Sequence, residues 1–523
     1  MNQQQDEILV DHLAKKGLDD KMVLGHPASL FVLFFTEMWE RFSYYGMRAL
    51  LVTFLITEIA DKGWGWTNAE AMELYGWYTG LVYATPLIGG MIADRLTGYK
   101  KAIILGAAIM TLGHASMALE GEAKAFFYIG LGLMILGNGL FKPNISSMVG
   151  QLYPDNSAKK DSGYTIFYMG INAGAFLGSL LCGYIGEKIG WHYGFGLAGV
   201  FMFFGMLQFY FGQRIFGVIG DSPKKAINLP DSVDAVAIPA KVVRDRLIVV
   251  AVLVVASVFF FLAFEQAGGS MTIFAKNYTQ RVLEGTAGTT FKWVDAALTI
   301  LPILVVTYVL TRLAAKIINQ YPLTIIFTLV SFFSIMLLGI WKIHREFTSD
   351  VTEVTVAWFQ ILNAFFIVTL ASSFSRFWEK VWNPSGPVKF ALGLALVGVG
   401  FLALSYGSLQ IPSGATTASV SMIWLVLAYF FHTTGELCVS PVGLSYMSKL
   451  SPQKFIGLIF GFWFLASAIA NKLAGLSGGL IDKITEMYSM STFFLIIAGL
   501  PIGAAILLLV FSPLLRKMMH GIN

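Results

Sequence analysis

Long apolar runs alternate with short polar breaks along the whole chain. An α-helix needs roughly 20 mostly apolar residues to cross a bilayer. Fourteen such segments are predicted, at about 29–57, 74–94, 101–119, 125–150, 162–187, 191–213, 247–275, 295–316, 322–342, 354–377, 388–406, 417–447, 455–481 and 491–514. They are far too long for the alternating strands of a membrane β-barrel. The longest polar break, 214–246, holds Pro223, Pro230 and Pro239 among mixed charges and reads as a linker. It leaves six predicted helices before it and eight after.

Composition agrees with a lipid-solvated chain. Of 523 residues, 56% are hydrophobic and only 13% charged. A soluble domain carries about 25% charged residues, so a soluble enzyme, a disordered chain and a coiled coil are excluded. The net charge of +5 includes no basic tract suited to nucleic acid. Cys182 and Cys438 lie inside apolar segments and read as packing residues, with no metal-ligand spacing. The polar N-terminus lacks a signal-peptide core, so the first apolar segment is expected to be retained. One set of alternate loops holds 23 of the 36 Lys and Arg residues, which predicts both termini on the cytoplasmic side.

Against that background, charges inside predicted spans stand out, since each costs about 3 kcal/mol or more to insert. In the first span, Glu37, Glu40, Arg41, Tyr44, Tyr45 and Arg48 follow helical spacing and share one face. Phe34, Phe35, Met38, Phe42 and Leu50 lie on the opposite face, toward lipid or neighbouring helices. The stripe reads as a proton and ligand site, because clustered carboxylates can hold a proton while arginines tune them. The bland alternative is a salt-bridged stripe that only fixes packing, and apolar packing would do that more cheaply.

Lys142 lies well inside the fourth span, directly before Pro143, which frees a carbonyl one turn back as in broken transporter helices. Glu265 sits in the seventh span beside two glycines, and Glu436 near the middle of the twelfth. Each can instead be a buried, hydrogen-bonded acid. The nearby His432 reads more simply as a packing residue. Asp94 and Arg95, where the second helix leaves the membrane, form either a gate or a topology-setting loop. Acids and bases drawn from both halves suit a zwitterion, with Arg48 and Lys142 facing a carboxylate and Glu436 an ammonium. An Arg48–Glu265 pair would block the carboxylate until Glu265 is protonated. The chain has no Walker A sequence to power it with ATP and no nucleophile–base pattern of an enzyme.

Glu37-Met38-Trp39-Glu40-Arg41-Phe42 followed by Tyr44-Tyr45-Gly46 resembles the E-x-x-E-R-F-x-Y-Y-G signature of proton-coupled oligopeptide transporters, within the major facilitator superfamily. Phe167-Tyr168 through Ile171-Asn172 and Gly174 is similar to the second signature of that family. Gly89-Gly90 through Asp94-Arg95, Phe141-Lys142-Pro143-Asn144, Glu265-Gln266 and Gly435-Glu436 also match in order.

The resemblance implies an all-α membrane fold of two six-helix bundles plus two extra helices, and import of di- and tripeptides and peptide-like drugs by alternating access. It implies the proton as coupling ion with no other cofactor, Glu37, Glu40, Arg41 and Glu265 as proton-coupling residues, and Arg48 and Lys142 for the peptide carboxylate. Glu436 and Asn363 would take the amino end, and Tyr44, Tyr45, Tyr83, Asn172, Trp463 and Ser467 would line the pocket. Asn363 rests on the family alone. Asp94 and Arg95 would gate. The expected organisation is a cytoplasmic N-terminus (1–28), an N-terminal bundle (29–213), a linker (214–246), a C-terminal bundle (247–276 and 354–514), an extra pair (295–342) and a cytoplasmic tail (515–523). The protein would act as a monomer in a bacterial plasma membrane, with no nucleic-acid partner. In bacterial members the extra pair usually lies between the sixth and seventh transport helices. Here it follows the helix with Glu265, so it should be peripheral but differently attached. Transport of nitrate or another small anion, and a non-transporting peptide receptor, are the competing readings.

Overall fold

The computed structural model describes residues 3–154, 157–222, 239–452 and 456–522. Parts of the expected N-terminus (1–2), linker (223–238) and tail (523) lie outside the described residues. Along the described chain run α1 (Gln3–Lys15), α2 (Ala28–Ile56), α3 (Asn68–Ile92), α4 (Tyr99–Met117), α5 (Lys124–Gln151), α6 (Ala158–Lys188) and α7 (Trp191–Gly212). Then come α8 (Ala240–Phe264), α9 (Ser270–Asn277), α10 (Gly285–Ile317), α11 (Pro322–Thr348), α12 (Val356–Lys380), α13 (Gly386–Gly407), α14 (Ile423–Leu450), α15 (Ile456–Gly478), α16 (Ile481–Met487) and α17 (Met490–Met518). Each expected apolar segment carries one long helix, the seventh being shared by α8 and α9. Eleven of these spans are long and apolar enough to cross a membrane. The count leaves out α2, α3 and α4; α2 carries four charges.

Three local expectations shift. The extra pair is longer than predicted, with α10 beginning at Gly285 and α11 reaching Thr348. Asp295 and Lys342, at the expected outer bounds of those spans, pair with each other inside the hairpin. Pro143 does not break α5, which runs continuously through it. The Gly139 carbonyl, which loses its usual donor to Pro143, abuts α3, and a Cβ at Gly89 would stand 1.9 Å from it. The seventh segment, by contrast, does break, at Glu265.

The chain forms two compact units: Met1–Leu50, Thr85–Leu229 and Val282–Ile361 make the first, and Leu51–Ala84, Pro230–Arg281 and Leu362–Asn523 the second. This grouping cuts across the expected bundles: Leu51–Ala84 groups with the second unit and the extra pair with the first.

In the first unit, Trp39 stacks on Phe201 at 5.1 Å and meets Phe332 of α11 at 5.3 Å. Phe34, Phe35, Met38, Phe42 and Leu50 are all buried, so that face of α2 meets protein. Lipid tails are as apolar as these rings, so close packing rather than escape from water holds them together. A short ladder of β3 (Val282–Leu283) with β4 (Thr352–Glu353) closes the feet of the extra pair. In the second unit, Phe494 of α17 contacts Phe274 at 5.3 Å and Phe401 at 6.2 Å, tying α9 and α13 to α17.

Candidate functional site

The polar stripe of α2 is buried in the first unit. Glu37, Glu40 and Arg41 are each at most 2% exposed. The Arg41 Nε pairs with Glu40 and lies 3.2 Å from Glu37 Oε1. One guanidinium therefore serves two carboxylates. Asn138 of α5, fully buried, donates to the other Glu40 oxygen at 3.0 Å. The Glu37 Oε2 and Arg41 Nη2 atoms are buried without a hydrogen-bond partner among the described residues. Arg41 also lies over the Tyr44 ring at 5.3 Å and Arg48 over Tyr45 at 5.8 Å. Lys142, half-buried on α5, is within electrostatic reach of Glu37. Asn138 escaped the sequence reading, although it stands one turn before Lys142 on the same helical face.

The glycine-bearing second motif has a packing role. Gly174 and Gly178 of α6 lie against α2, where added Cβ atoms would come within 2.1 Å of Met38 O and 2.2 Å of Phe42 O. Side chains there would push α6 off the charged helix. Asn172, in the same motif, is buried and donates to the Tyr168 carbonyl of its own helix at 2.9 Å. Asp94 is exposed and accepts from the Tyr99 hydroxyl at 2.8 Å, and Arg95 is exposed beside it.

In the second unit, α8 stops at Phe264, and Glu265–Gly268 forms a tight 3₁₀ turn before α9 resumes. Glu265 is buried in that turn. Freed carbonyls in a membrane helix each cost several kcal/mol unless satisfied. Here phenols satisfy them: Tyr75 donates to Glu265 O at 3.1 Å and Tyr429 to Ala267 O at 3.2 Å. Gln266 donates to Ala474 O of α15 at 3.0 Å and to Ser477 at 2.9 Å. On α14, Glu436 accepts from Asn363 of α12 at 2.9 Å, and the same amide reaches Thr433 at 3.1 Å.

Trp463 and Ser467 share a face of α15 and are both buried. Trp463 meets Phe261 and Phe390 edge-on at 6.0 and 6.4 Å, and Ser467 donates to the Trp463 carbonyl at 3.1 Å. Tyr83 is half-buried on α3. His432 packs at 4.6 Å from Phe401, and neither ring nitrogen has a side-chain hydrogen-bond partner among the described residues. The structure thus brings Glu37, Glu40 and Arg41 together in one unit, and Glu436 and Asn363 in the other. Among the described residues no His, Cys, Asp and Glu cluster is arranged to hold a metal ion.

A family model described as PTR2, POT family, matches residues 100–238 and 334–495. The chain is 34% identical to the uncharacterized transporter YclF of Bacillus subtilis (strain 168), over 97% of this chain and 98% of that one. It is 33% identical to the di-/tripeptide transporter of Lactococcus lactis subsp. cremoris, over 95% and 98%. The crystal structure of a peptide transporter POT in complex with sulfate superposes with a TM-score of 0.75 at 29% identity, covering 99% of both chains.

Proposed function

This chain belongs to the POT family, and on that premise we propose that it is a proton-coupled symporter importing di- and tripeptides by alternating access. The observation that carries the reading is the split of buried charge. Arg41, Arg48 and Lys142 gather around α2 in the first unit, Arg41 being taken up by Glu37 and Glu40, and a carboxylate held only by neutral donors in the described contacts, Glu436, stands in the second. A peptide is a zwitterion with these two complements. Its carboxylate goes to Arg48 and Lys142, its ammonium to Glu436 with Asn363. Tyr44, Tyr45, Tyr83, Asn172, Trp463 and Ser467 shape the surrounding site, and Asp94 and Arg95 serve the gate.

Coupling follows from charge. Glu37 shares Arg41 with Glu40 and feels Lys142. A peptide carboxylate that claims Lys142 takes one positive neighbour from Glu37, so the loaded carrier retains a proton that the empty one releases. Linkage makes the effect reciprocal: protonation strengthens peptide binding by the same factor. Glu265, buried at the break in the second unit, is the remaining acid of the proposed proton path.

The protein is an all-helical membrane transporter. All fourteen long spans cross a bacterial plasma membrane, with both termini cytoplasmic. Two six-helix bundles carry transport, the extra pair is peripheral, and the protein works as a monomer with the proton as its coupling ion. Uptake of a radiolabelled dipeptide into proteoliposomes tests the function. An acid exterior should drive accumulation and an acid lumen should not; uptake indifferent to the gradient would refute it.

A further inference from the structure

The break at Glu265 and the acid at Glu436 are joined by one hydrogen-bonded path inside the second unit. Ala267 O, within the break, accepts from the Tyr429 hydroxyl at 3.2 Å. The Tyr429 carbonyl accepts from Thr433 Oγ1 at 2.8 Å. Thr433 Oγ1 accepts from Asn363 Nδ2 at 3.1 Å, and that same amide donates to Glu436 Oε2 at 2.9 Å. Tyr429, Thr433 and Glu436 are spaced four and three residues apart, so they share one face of α14. A second phenol, Tyr75 of α3, braces the break at the carbonyl of Glu265 itself.

The turn is built to be re-aimed. Gly268 and Gly269 lie three and four residues after Glu265, and at Gly269 a Cβ would meet the flexible end of Met72 at 2.5 Å and the Tyr75 ring at 3.7 Å. What holds α9 at its present angle is the set of donors on the freed carbonyls, together with Gln266. Among the described residues, the titratable groups facing the break include Tyr75 from α3 and Tyr429, His432 and Glu436 from α14. From α15 come the Ala474 carbonyl and the Ser477 hydroxyl, while Phe401 of α13 packs on His432 and Phe494 of α17 on Phe274 of α9.

We infer that Tyr429 and Thr433 are positioning residues that couple occupancy of Glu436 to the backbone carrying Glu265. The inference rests on the peptide–proton symport proposed above. An ammonium arriving at Glu436 competes with Asn363 for the carboxylate. The released amide turns wholly to Thr433, and α14 carries the change one turn along to Tyr429. Loosening of the Tyr429 bond leaves Ala267 O to the Thr272 hydroxyl of α9, 3.1 Å away, and relaxes the angle of the turn that holds Glu265. Energetic coupling of this kind travels through contiguous hydrogen bonds and rigid helices, and demonstrating it takes a thermodynamic cycle.

The experiment compares the full-length wild type with Tyr429→Phe, Thr433→Val and the double variant, reconstituted in proteoliposomes. Tyr278→Phe is the control, since that phenol also donates to a carbonyl of the unit, Ala415 O at 3.2 Å, but away from the break. Dipeptide counterflow at equal pH reads binding and exchange. The ratio of uptake at acid exterior pH to uptake at neutral exterior pH reads coupling. Both single variants should keep counterflow and lose about fivefold of that ratio, the size of one neutral hydrogen bond. The double variant should lose no more than either single one, because both cut the same path. If Tyr429→Phe does not fold, Thr433→Val breaks the path at its other end and carries the test. Slower uptake with an unchanged acid-to-neutral ratio, additive losses in the double variant, or the same flattening in Tyr278→Phe would each overturn the inference. A wild type without dipeptide counterflow would instead overturn the transport function, so the two failures are distinguishable.

Discussion

Two buried charge clusters lie in the first unit and look alike by composition, yet they are built oppositely. In the extra pair, Lys342 meets Asp295 one to one, with Thr299 3.3 Å from the same ammonium. Around it, Tyr184 of α6 donates to Glu346 at 2.7 Å and Lys188 pairs with Glu353 at 2.6 Å. Glu187 accepts from the backbone N–H groups of Val356 and Ala357 at 2.8 and 2.9 Å. On α2, a single guanidinium in direct contact serves Glu37 and Glu40, and one oxygen of Glu37 is left without a hydrogen-bond partner. One oxygen in each cluster, Asp295 Oδ1 and Glu37 Oε2, is buried without a hydrogen-bond partner among the described residues, so the two differ in charge balance: one acid to one base in the extra pair, two acids to one guanidinium on α2. Under the proposed function the balanced pair acts as a bolt, and the cluster with an acid to spare is where a proton can sit.

The comparison breaks most readily at Arg41. Replacing it with Gln leaves two buried carboxylates uncompensated, a loss of about 3–5 kcal/mol, so uptake should vanish and the melting temperature should fall steeply. The next largest effect is expected from Glu37→Gln, which keeps the side chain's shape but removes the proposed proton site. Gradient-driven accumulation should disappear while equal-pH dipeptide exchange continues; loss of both together would place Glu37 among merely structural residues. Glu436→Gln tests the second unit. Removing a charge from the ammonium contact should weaken dipeptide affinity by roughly tenfold or more, read as KM, since hydrogen bonds to charged groups are worth about 1.5–3 kcal/mol. An unaltered dipeptide KM would favour a small-anion cargo. The smallest effect belongs to the bolt. Replacing Asp295 with Leu and Lys342 with Met together should leave uptake within about twofold, since apolar substitutes for a buried pair are often neutral or stabilising. A large loss of coupling in that double variant would erase the distinction.

Much of this architecture is written locally in the chain, and the rest depends on contacts that no local pattern carries. The α2 stripe follows from helical spacing within twelve residues, and the structure keeps Glu37, Glu40 and Arg41 together. Asp295 and Lys342 are 47 residues apart. Nothing local to either residue shows that the other balances it, and the predicted bounds of the extra pair stop at these two charges. The glycines after Glu265 were visible, but the break itself was not, because the donors that make it tolerable come from Tyr75 and Tyr429 on other helices. Asn138 carried a usable signal, a buried amide one turn from Lys142. Gly174 and Gly178 read as part of a motif, and their reason, backbone-to-backbone approach of α6 and α2, needs the packed structure.

The central claim is that buried acids in an unbalanced cluster convert a proton gradient into peptide accumulation. The most direct test follows labelled dipeptide in proteoliposomes of the purified wild type under an acid-outside gradient, with and without a protonophore. The account predicts accumulation above the external concentration that collapses when the protonophore is added. Equilibration without accumulation, or accumulation that survives the protonophore, would contradict it.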